Sequence, residues 1–266
     1  MMDLVILLKA FIQGLVEGAT EFLPISSTGH LIITGDLLNF NDEKAKVFDI
    51  VIQLAAILAV CWEYRRKLTD TVLHITHQSK AQNFARHLLI AFLPAAIIGL
   101  VFHDKIKEYL FTPITVAIAL ILGGVAILLI ERMPLKTKTT HVDSITQKQA
   151  WQIGFAQSLA LIPGVSRSGA TILGGMLFGL NRHTATEFSF FLAIPIMFAA
   201  TGYDLLKNWQ LLSGDDFAMF AVGFITAFLS ALIAIKFLLR FVASHSFKIF
   251  AWYRIALGLV VIWYFQ

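Results

Sequence analysis

Apolar positions in this chain run in long unbroken blocks rather than in the alternation of a half-buried strand or the one-sided stripe of a surface helix. Six blocks suffice for a helix across a bilayer core, which takes about 20 residues. They run from Val47 to Tyr64, His87 to Phe102, Pro113 to Ile130, Glu187 to Tyr203, Phe217 to Ile235 and Ile249 to Phe265. The third and fifth contain no charge. Two further apolar regions, Leu4 to Leu38 and Trp151 to Leu180, are interrupted midway by proline, glycine and clustered hydroxyls. Each is too long for one span and too poor in polar linker for two. They predict pairs of short helices joined inside the membrane, a geometry tolerated only where protein or a polar cavity covers the open backbone.

The two broken regions match each other at an ungapped offset of 140 residues. Gly14 falls on Gly154, Ser26 on Ser166, Gly29 on Gly169, Ile32 on Ile172, Gly35 on Gly175 and Phe48 on Phe188, while Thr28 falls on Ser168. Identities concentrated on glycines and hydroxyls at one offset signal an internal repeat. The predicted fold is therefore an all-α integral membrane protein. It has one domain over 1–266, six transmembrane helices, and two re-entrant helix-loop-helix segments within repeats of roughly 4–131 and 149–266.

Composition agrees: 58% of the 266 residues are hydrophobic and 14% charged, with a mean hydropathy of +0.76. A net charge of +4 is ordinary for basic cytoplasmic loops and makes no case for nucleic acid. Cys61 is the one cysteine, so neither an internal disulfide nor a cysteine metal site is possible. The N-terminal apolar stretch carries Lys9 and no small-residue cleavage site, so no removable leader is expected. Basic residues gather after the first span (Arg65, Arg66, Lys67, Lys80, Arg86) and the third (Arg132, Lys136, Lys138, Lys148). Arg182, Lys236, Arg240 and Lys248 join that side; Lys44, Lys46, Lys105, Lys107 and Lys207 lie opposite. Positive charge stays inside, which puts both termini outside and makes the repeats inverted, with tips meeting near the midplane.

The first tip reads Glu17-Gly-Ala-Thr-Glu21-Phe-Leu-Pro24-Ile-Ser26-Ser27-Thr28-Gly29-His30. Glu17 and Glu21 share a helix face, and carboxylates this close in apolar surroundings need a cation or a shared proton. Pro24 ends the helix, and the hydroxyl cluster predicts a new N-terminus whose free N–H groups suit an anion. The second tip, Pro163-Gly-Val-Ser166-Arg167-Ser168-Gly-Ala-Thr171, repeats the break and adds an arginine. Arginine at membrane depth is a functional candidate by default, and its planar fork suits phosphate. Ser26, Thr28, Ser166, Arg167, Ser168 and Thr171 are the candidate phosphate contacts, and Glu17 and Glu21 the candidate metal ligands. Positions that differ between copies should carry the asymmetric chemistry: Glu17 against Gln157, Glu21 against Leu161, Ser27 against Arg167, His30 against Ala170. Ser27 is the candidate nucleophile with His30 assisting its proton; attack by metal-activated water is the alternative.

Plainer roles stand beside these. The glutamates could reach outer headgroups. His30 could be a hydrogen-bonded structural histidine. Ser26 and Ser166 are better read as caps. Arg167 could rest against Glu17 or Glu21. Asp49 and Gln53 could form a supporting polar layer, Arg254 could touch phosphate or line a wet crevice, and Gly123-Gly124 and Gly174-Gly175 read as packing contacts. No phosphate-binding loop with a lysine, zinc-protease helix or haloperoxidase-type arginine–histidine spacing is present.

These two signatures closely resemble the undecaprenyl-diphosphatase, or bacitracin-resistance, family over nearly the whole chain, with no departure within either. The resemblance implies a bacterial inner-membrane enzyme that hydrolyses undecaprenyl diphosphate to the monophosphate and inorganic phosphate. It implies a role in recycling the peptidoglycan lipid carrier, and bacitracin resistance because bacitracin sequesters that diphosphate. It further implies a divalent cation, Mg2+ or Ca2+, and Glu17, Glu21, Ser27, His30 and Arg167 as catalytic residues. The expected partners are the polyprenyl diphosphate, membrane lipids and, left open, a second copy of the chain in a homodimer. The rival reading is a transporter or flippase of polyprenyl phosphate, since inverted repeats with broken helices are common in transporters.

Overall fold

The computed structural model describes residues 4–208, 210 and 216–265; the side chains of Glu43, His103, Asp104, Lys107 and Asn208 lie outside what is described. The described residues form α-helices joined by turns and two short 3-10 segments. In chain order the helices are α1 Leu4–Thr20, α2 Ser27–Leu37, α3 Glu43–Glu63, α4 Arg65–His74, α5 Ser79–Leu110, α6 Pro113–Ile130, α7 Gln147–Ser158, α8 Arg167–Leu177, α9 Arg182–Asn208, α10 Phe217–Val242 and α11 Lys248–Phe265. Six of them, α3, α5, α6, α9, α10 and α11, are long and apolar enough to cross a membrane. The remaining apolar helices α1, α2, α7 and α8 fall in the two broken regions, with 17, 11, 12 and 11 residues. Leu100, Leu206, Phe217, Ile233 and Trp263 face outward, as in a molecule solvated by lipid tails.

Glycines set how the helices meet. A Cβ on Gly14 would lie 2.5 Å from the carbonyl oxygen of Gly223, so α1 and α10 pack backbone to backbone. Its repeat counterpart Gly154 would place a Cβ 2.6 Å from the Ala91 carbonyl oxygen, where α7 meets α5. The first helix of each half thus leans on a spanning helix of the other: α1 on α10, α7 on α5. Between them α3 packs on α9, and α6 on α11. The largest core cluster draws on both halves; Phe22 meets Phe190 edge to face with centroids 5.5 Å apart.

Polar contacts mark two ends. At one, Lys9 donates to the Asn39 carbonyl, Lys44 pairs with Asp216 at 3.0 Å, and the Tyr264 hydroxyl donates to Asp36. At the other, Lys67 and Lys80 both pair with Asp143, and Glu131 binds Arg182 and accepts from the backbone N–H of Phe247. Burial pushes the Glu131 carboxyl up, but Arg182 and that N–H outweigh it and hold it below its ordinary range. Two features differ from expectation. The second span is part of a helix of 32 residues, and Arg65–His74, expected as a basic loop, is helical.

Candidate active site

Both breaks arise from the same local geometry. The chain leaves α1 after Thr20, turns through Pro24, and takes a φ of 69° at Ser26. After Pro163-Gly164 it takes a φ of 74° at Ser166. Left-handed backbone at a non-glycine residue is uncommon, and these are the two serines matched by the repeat. Each turn starts a helix at the next residue, α2 at Ser27 and α8 at Arg167. Both N-termini reach one cavity of about 430 Å³.

The cavity has a polar head and an apolar body. Glu21, Ser26, Ser27, Thr28, Gln53, Gln157, Ser166 and Arg167 form the head. The body runs past Ala95, Ala96 and Gly99 of α5 and Ala199 and Ala200 of α9 toward Tyr203 and Asp204. Small residues just beyond Pro94 and Pro195, the prolines inside these helices, leave its volume open.

Within the head, the Ser27 hydroxyl donates to Glu21 Oε2 at 2.5 Å. Arg167 Nη2 donates to Glu21 Oε1 at 2.8 Å, and Arg167 Nη1 to the Ser189 carbonyl at 3.1 Å. The Arg167 guanidinium carbon lies 5.6 Å from the centre of the Phe22 ring. Nucleophile candidate, carboxylate and arginine therefore form one continuous chain, the resting arrangement expected of Arg167. His30 occupies a different place. Its Nδ1 lies 2.8 Å from the Ser26 carbonyl oxygen and its Nε2 2.7 Å from the Tyr253 hydroxyl. Glu21, not His30, holds the Ser27 proton partner position, because the first turn of α2 carries the imidazole away toward α11.

The serine twins differ in how they use their hydroxyls. Ser166 Oγ accepts from the Gly169 N–H as a true cap, whereas Ser26 makes no side-chain cap. The expected shared capping role holds for Ser166 alone; what the twins share is backbone geometry. Ser168 and Thr171, expected at the phosphate, are turned into the protein. Ser168 is fully buried and donates to the Leu23 carbonyl, and Thr171 donates to the Arg167 carbonyl and to Ser189 Oγ at 2.6 Å. Helical periodicity directs them away from the cavity that Ser166 and Arg167 line.

Glu17 is fully buried, with neither carboxylate oxygen hydrogen-bonded, so it does not reach a headgroup layer. Asp49 Oδ1 and both amide atoms of Gln157 are likewise buried without a partner. Arg254 neither touches the cavity nor lines a crevice. It is 1% exposed and donates to five carbonyls: Pro24 of the first break, Gly164 and Val165 of the second, and Ala119 and Leu120 of α6. One guanidinium thus satisfies the open, buried backbone of both turns. Gly123 makes room for it: a Cβ there would meet the guanidinium at 2.0 Å.

The family described as bacitracin resistance protein BacA matches residues 10–260. The chain belongs to the BacA family. It is 64% identical to an undecaprenyl-diphosphatase of Methylobacillus flagellatus, over 99% of this chain and 100% of that one. It is 61% identical to an undecaprenyl-diphosphatase of Nitrosospira multiformis (98% and 96%) and 60% identical to one of Nitrosomonas europaea (98% and 95%). This BacA-family protein is thus a multi-pass membrane protein. In it the signature residues Glu21, Ser27 and Arg167 meet, while Glu17 lies behind them. Tyr253 and Ser189, which contact His30, Arg167 and Thr171, carried no signal in the sequence, being set by partners far along the chain.

Proposed function

We propose that the protein hydrolyses undecaprenyl diphosphate to undecaprenyl phosphate and inorganic phosphate, recycling the peptidoglycan lipid carrier and conferring bacitracin resistance. The names of its relatives support the substrate. The Ser27–Glu21–Arg167 chain at the head of an apolar cavity carries the chemistry: a polar end for a diphosphate, an apolar body for the start of a prenyl chain. Soluble nucleotides offer nothing to fill that body.

The steps follow from the contacts. Arg167 exchanges part of its hold on Glu21 for oxygens of the terminal phosphate, and the N–H groups opening α2 and α8 hold further oxygens. Glu21 takes the Ser27 proton as Oγ bonds to the terminal phosphorus. The phosphorus–bridging-oxygen bond breaks, its electrons leaving with undecaprenyl phosphate, while Arg167 stabilises the charge that develops. Water then attacks the phosphorus of the phosphoserine and the Oγ–phosphorus bond breaks; Glu21 returns its proton to Ser27 Oγ, and inorganic phosphate leaves carrying the protons of the water, restoring Ser27 and the Glu21 carboxylate. A phosphoserine route gives net retention at phosphorus; direct attack by water gives inversion, and inversion would end the Ser27 proposal.

A Mg2+ or Ca2+ ion fits the residues present. Glu17 offers two buried, unpartnered oxygens and Asp49 one, an all-oxygen donor set suited to a hard cation. Among the described residues no three acidic or histidine side chains stand together as a complete metal site, so Glu17 and Asp49 would supply only part of its oxygen ligands. Bound there, the cation would neutralise charge on the diphosphate. Glu21, already held by Arg167 and Ser27, is the lesser ligand.

We also place both termini on the outer face of the bacterial inner membrane, with the two halves as inverted repeats. The twin left-handed serines and the reciprocal packing of α1 on α10 and α7 on α5 support the repeat. The apolar body runs toward Tyr203 and Asp204, the end opposite the basic loops, so the site opens outward. The deciding experiment is phosphate release from undecaprenyl diphosphate by purified protein in detergent, with and without chelator. Transport cannot register there. Absent release under all metal conditions would leave the flippase reading in its place.

A further inference from the structure

Both ring nitrogens of His30 are engaged, and neither partner is the reacting group. Nδ1 faces a carbonyl, which has no proton to give, so Nδ1 carries the hydrogen and donates it to Ser26. In a neutral imidazole Nε2 is then the acceptor, and the Tyr253 hydroxyl donates to it. The two ring planes are parallel to within 4°, with centroids 5.6 Å apart. The carbonyl at the end of this relay belongs to the residue with the left-handed backbone immediately before Ser27. The second half offers the comparison: there the Ser166 carbonyl accepts the helical bond from the Ala170 N–H at 2.9 Å, and the Ser166 hydroxyl caps the helix. In the first half Ser26 makes no side-chain cap, and His30 stands where Ala170 does, its Nδ1 reaching the Ser26 carbonyl. A turn in a sparsely populated conformation persists only when its surroundings hold it. Tyr253 precedes Arg254, which grips the Pro24 carbonyl on the other side of the same turn.

We propose that Tyr253 is a positioning residue for Ser27: acting through His30, it holds the Ser26 carbonyl and so sets the turn that aims the Ser27 hydroxyl at Glu21 and the cavity. This rests on the hydrolysis proposed above. Tyr253 does not line the cavity, so its effect is expected in kcat rather than KM.

The test compares Tyr253→Phe, His30→Ala and the double variant, each with unfolding temperature measured in detergent. Removing the hydroxyl should lower kcat on the order of tenfold, the equivalent of one hydrogen bond, with KM unchanged. In the His30→Ala background the same change should have no further effect. Full kcat in Tyr253→Phe, a rise confined to KM, or a second tenfold loss on top of His30→Ala would each overturn the assignment. A reading free of activity and of folding margin comes from two-bond spectra of 15N-histidine-labelled protein. The resonances lost in His30→Ala should report a proton on Nδ1 in the unmodified protein and a shifted tautomer balance in Tyr253→Phe. An unchanged tautomer would sink the relay. An unmodified protein that releases no phosphate would sink the hydrolase reading, leaving these spectra to decide the relay.

Discussion

At the scale of single residues, Arg167 and Arg254 show what one side chain does when its setting changes. Both sit deep in apolar surroundings, yet Arg167 faces a carboxylate and a cavity, while Arg254 faces only carbonyls. Arg167 can therefore trade partners and Arg254 cannot. Arg167→Lys keeps the charge but loses the planar fork. It is expected to lower kcat for phosphate release by about 10²–10³-fold, close to the loss in Arg167→Ala; a lysine variant with full kcat would reduce the role to charge alone. The signature made Glu21, Ser27 and Arg167 legible in the sequence because glutamate, serine and arginine in apolar blocks have few uses. The role of Arg254 was not legible, since its partners are main-chain groups that any residue could supply. The contacts of His30 were not legible for a related reason: its spacing from Ser27 suggested contact, but its ring meets the Ser26 carbonyl and Tyr253, 223 residues away.

At the scale of elements, close approach decides which substitutions matter. A Cβ on Gly18 would meet Ser230 Oγ at 2.1 Å and the Ala227 carbonyl oxygen at 2.2 Å, so α1 would have to move off α10. Gly202 of α9 has nothing within 4 Å of such a Cβ. Gly18→Ala should therefore destabilise by about 1–3 kcal/mol, as overpacking does, and Gly202→Ala should leave the unfolding temperature unchanged or higher. Equal shifts in both variants would show that packing there is looser than described. Spans and breaks were legible from hydropathy and turn residues, whereas helix ends were not. The α4 segment was missed because Arg65, Arg66 and Lys67 read as loop, although Lys67 is held at Asp143 together with Lys80. Burial pushes the Asp143 carboxyl up, but the two lysines outweigh it and keep the carboxyl below its ordinary value of 3.8. A carboxyl lowered on folding stabilises above its unfolded value and loses that contribution as pH falls through its folded one. The stability gap between the unmodified protein and Asp143→Asn should accordingly be flat near neutral pH and close below about pH 4; a gap that persisted in acid would assign the difference to shape rather than charge.

At the scale of the whole molecule, the fold brings the two signature segments to one place although they lie 140 residues apart in the chain. Each half supplies what the other lacks: the first a serine and carboxylates, the second an arginine and a helix start. In the sequence, identity falls at the glycines and difference at the tips, and the contacts join the differing residues Glu21, Ser27 and Arg167. What joins the halves was not readable, because Arg254 and the core phenylalanines act through contacts that cross the repeat. The proposed orientation rests on the two polar ends. Lys67, Lys80, Arg182 and Lys236 gather at the end that holds Asp143 and Glu131, and Lys44 and Asp216 mark the other. With positive charge retained inside, this asymmetry supports the orientation proposed above, with the cavity body leading outward and the termini outside. Cys61 is the one cysteine and is half-buried within α3, so its replacement leaves a clean background for labelling. A cysteine at exposed Asn41 should react with a membrane-impermeant thiol reagent added to intact cells, and one at exposed Lys138 only after the membrane is opened. Reaction at position 138 from outside, with none at 41, would invert the molecule and turn the site toward the cytoplasm. A diphosphate carried on the outer leaflet could then reach Ser27 only after crossing the membrane, and the outward-facing hydrolysis proposed here would fail with it.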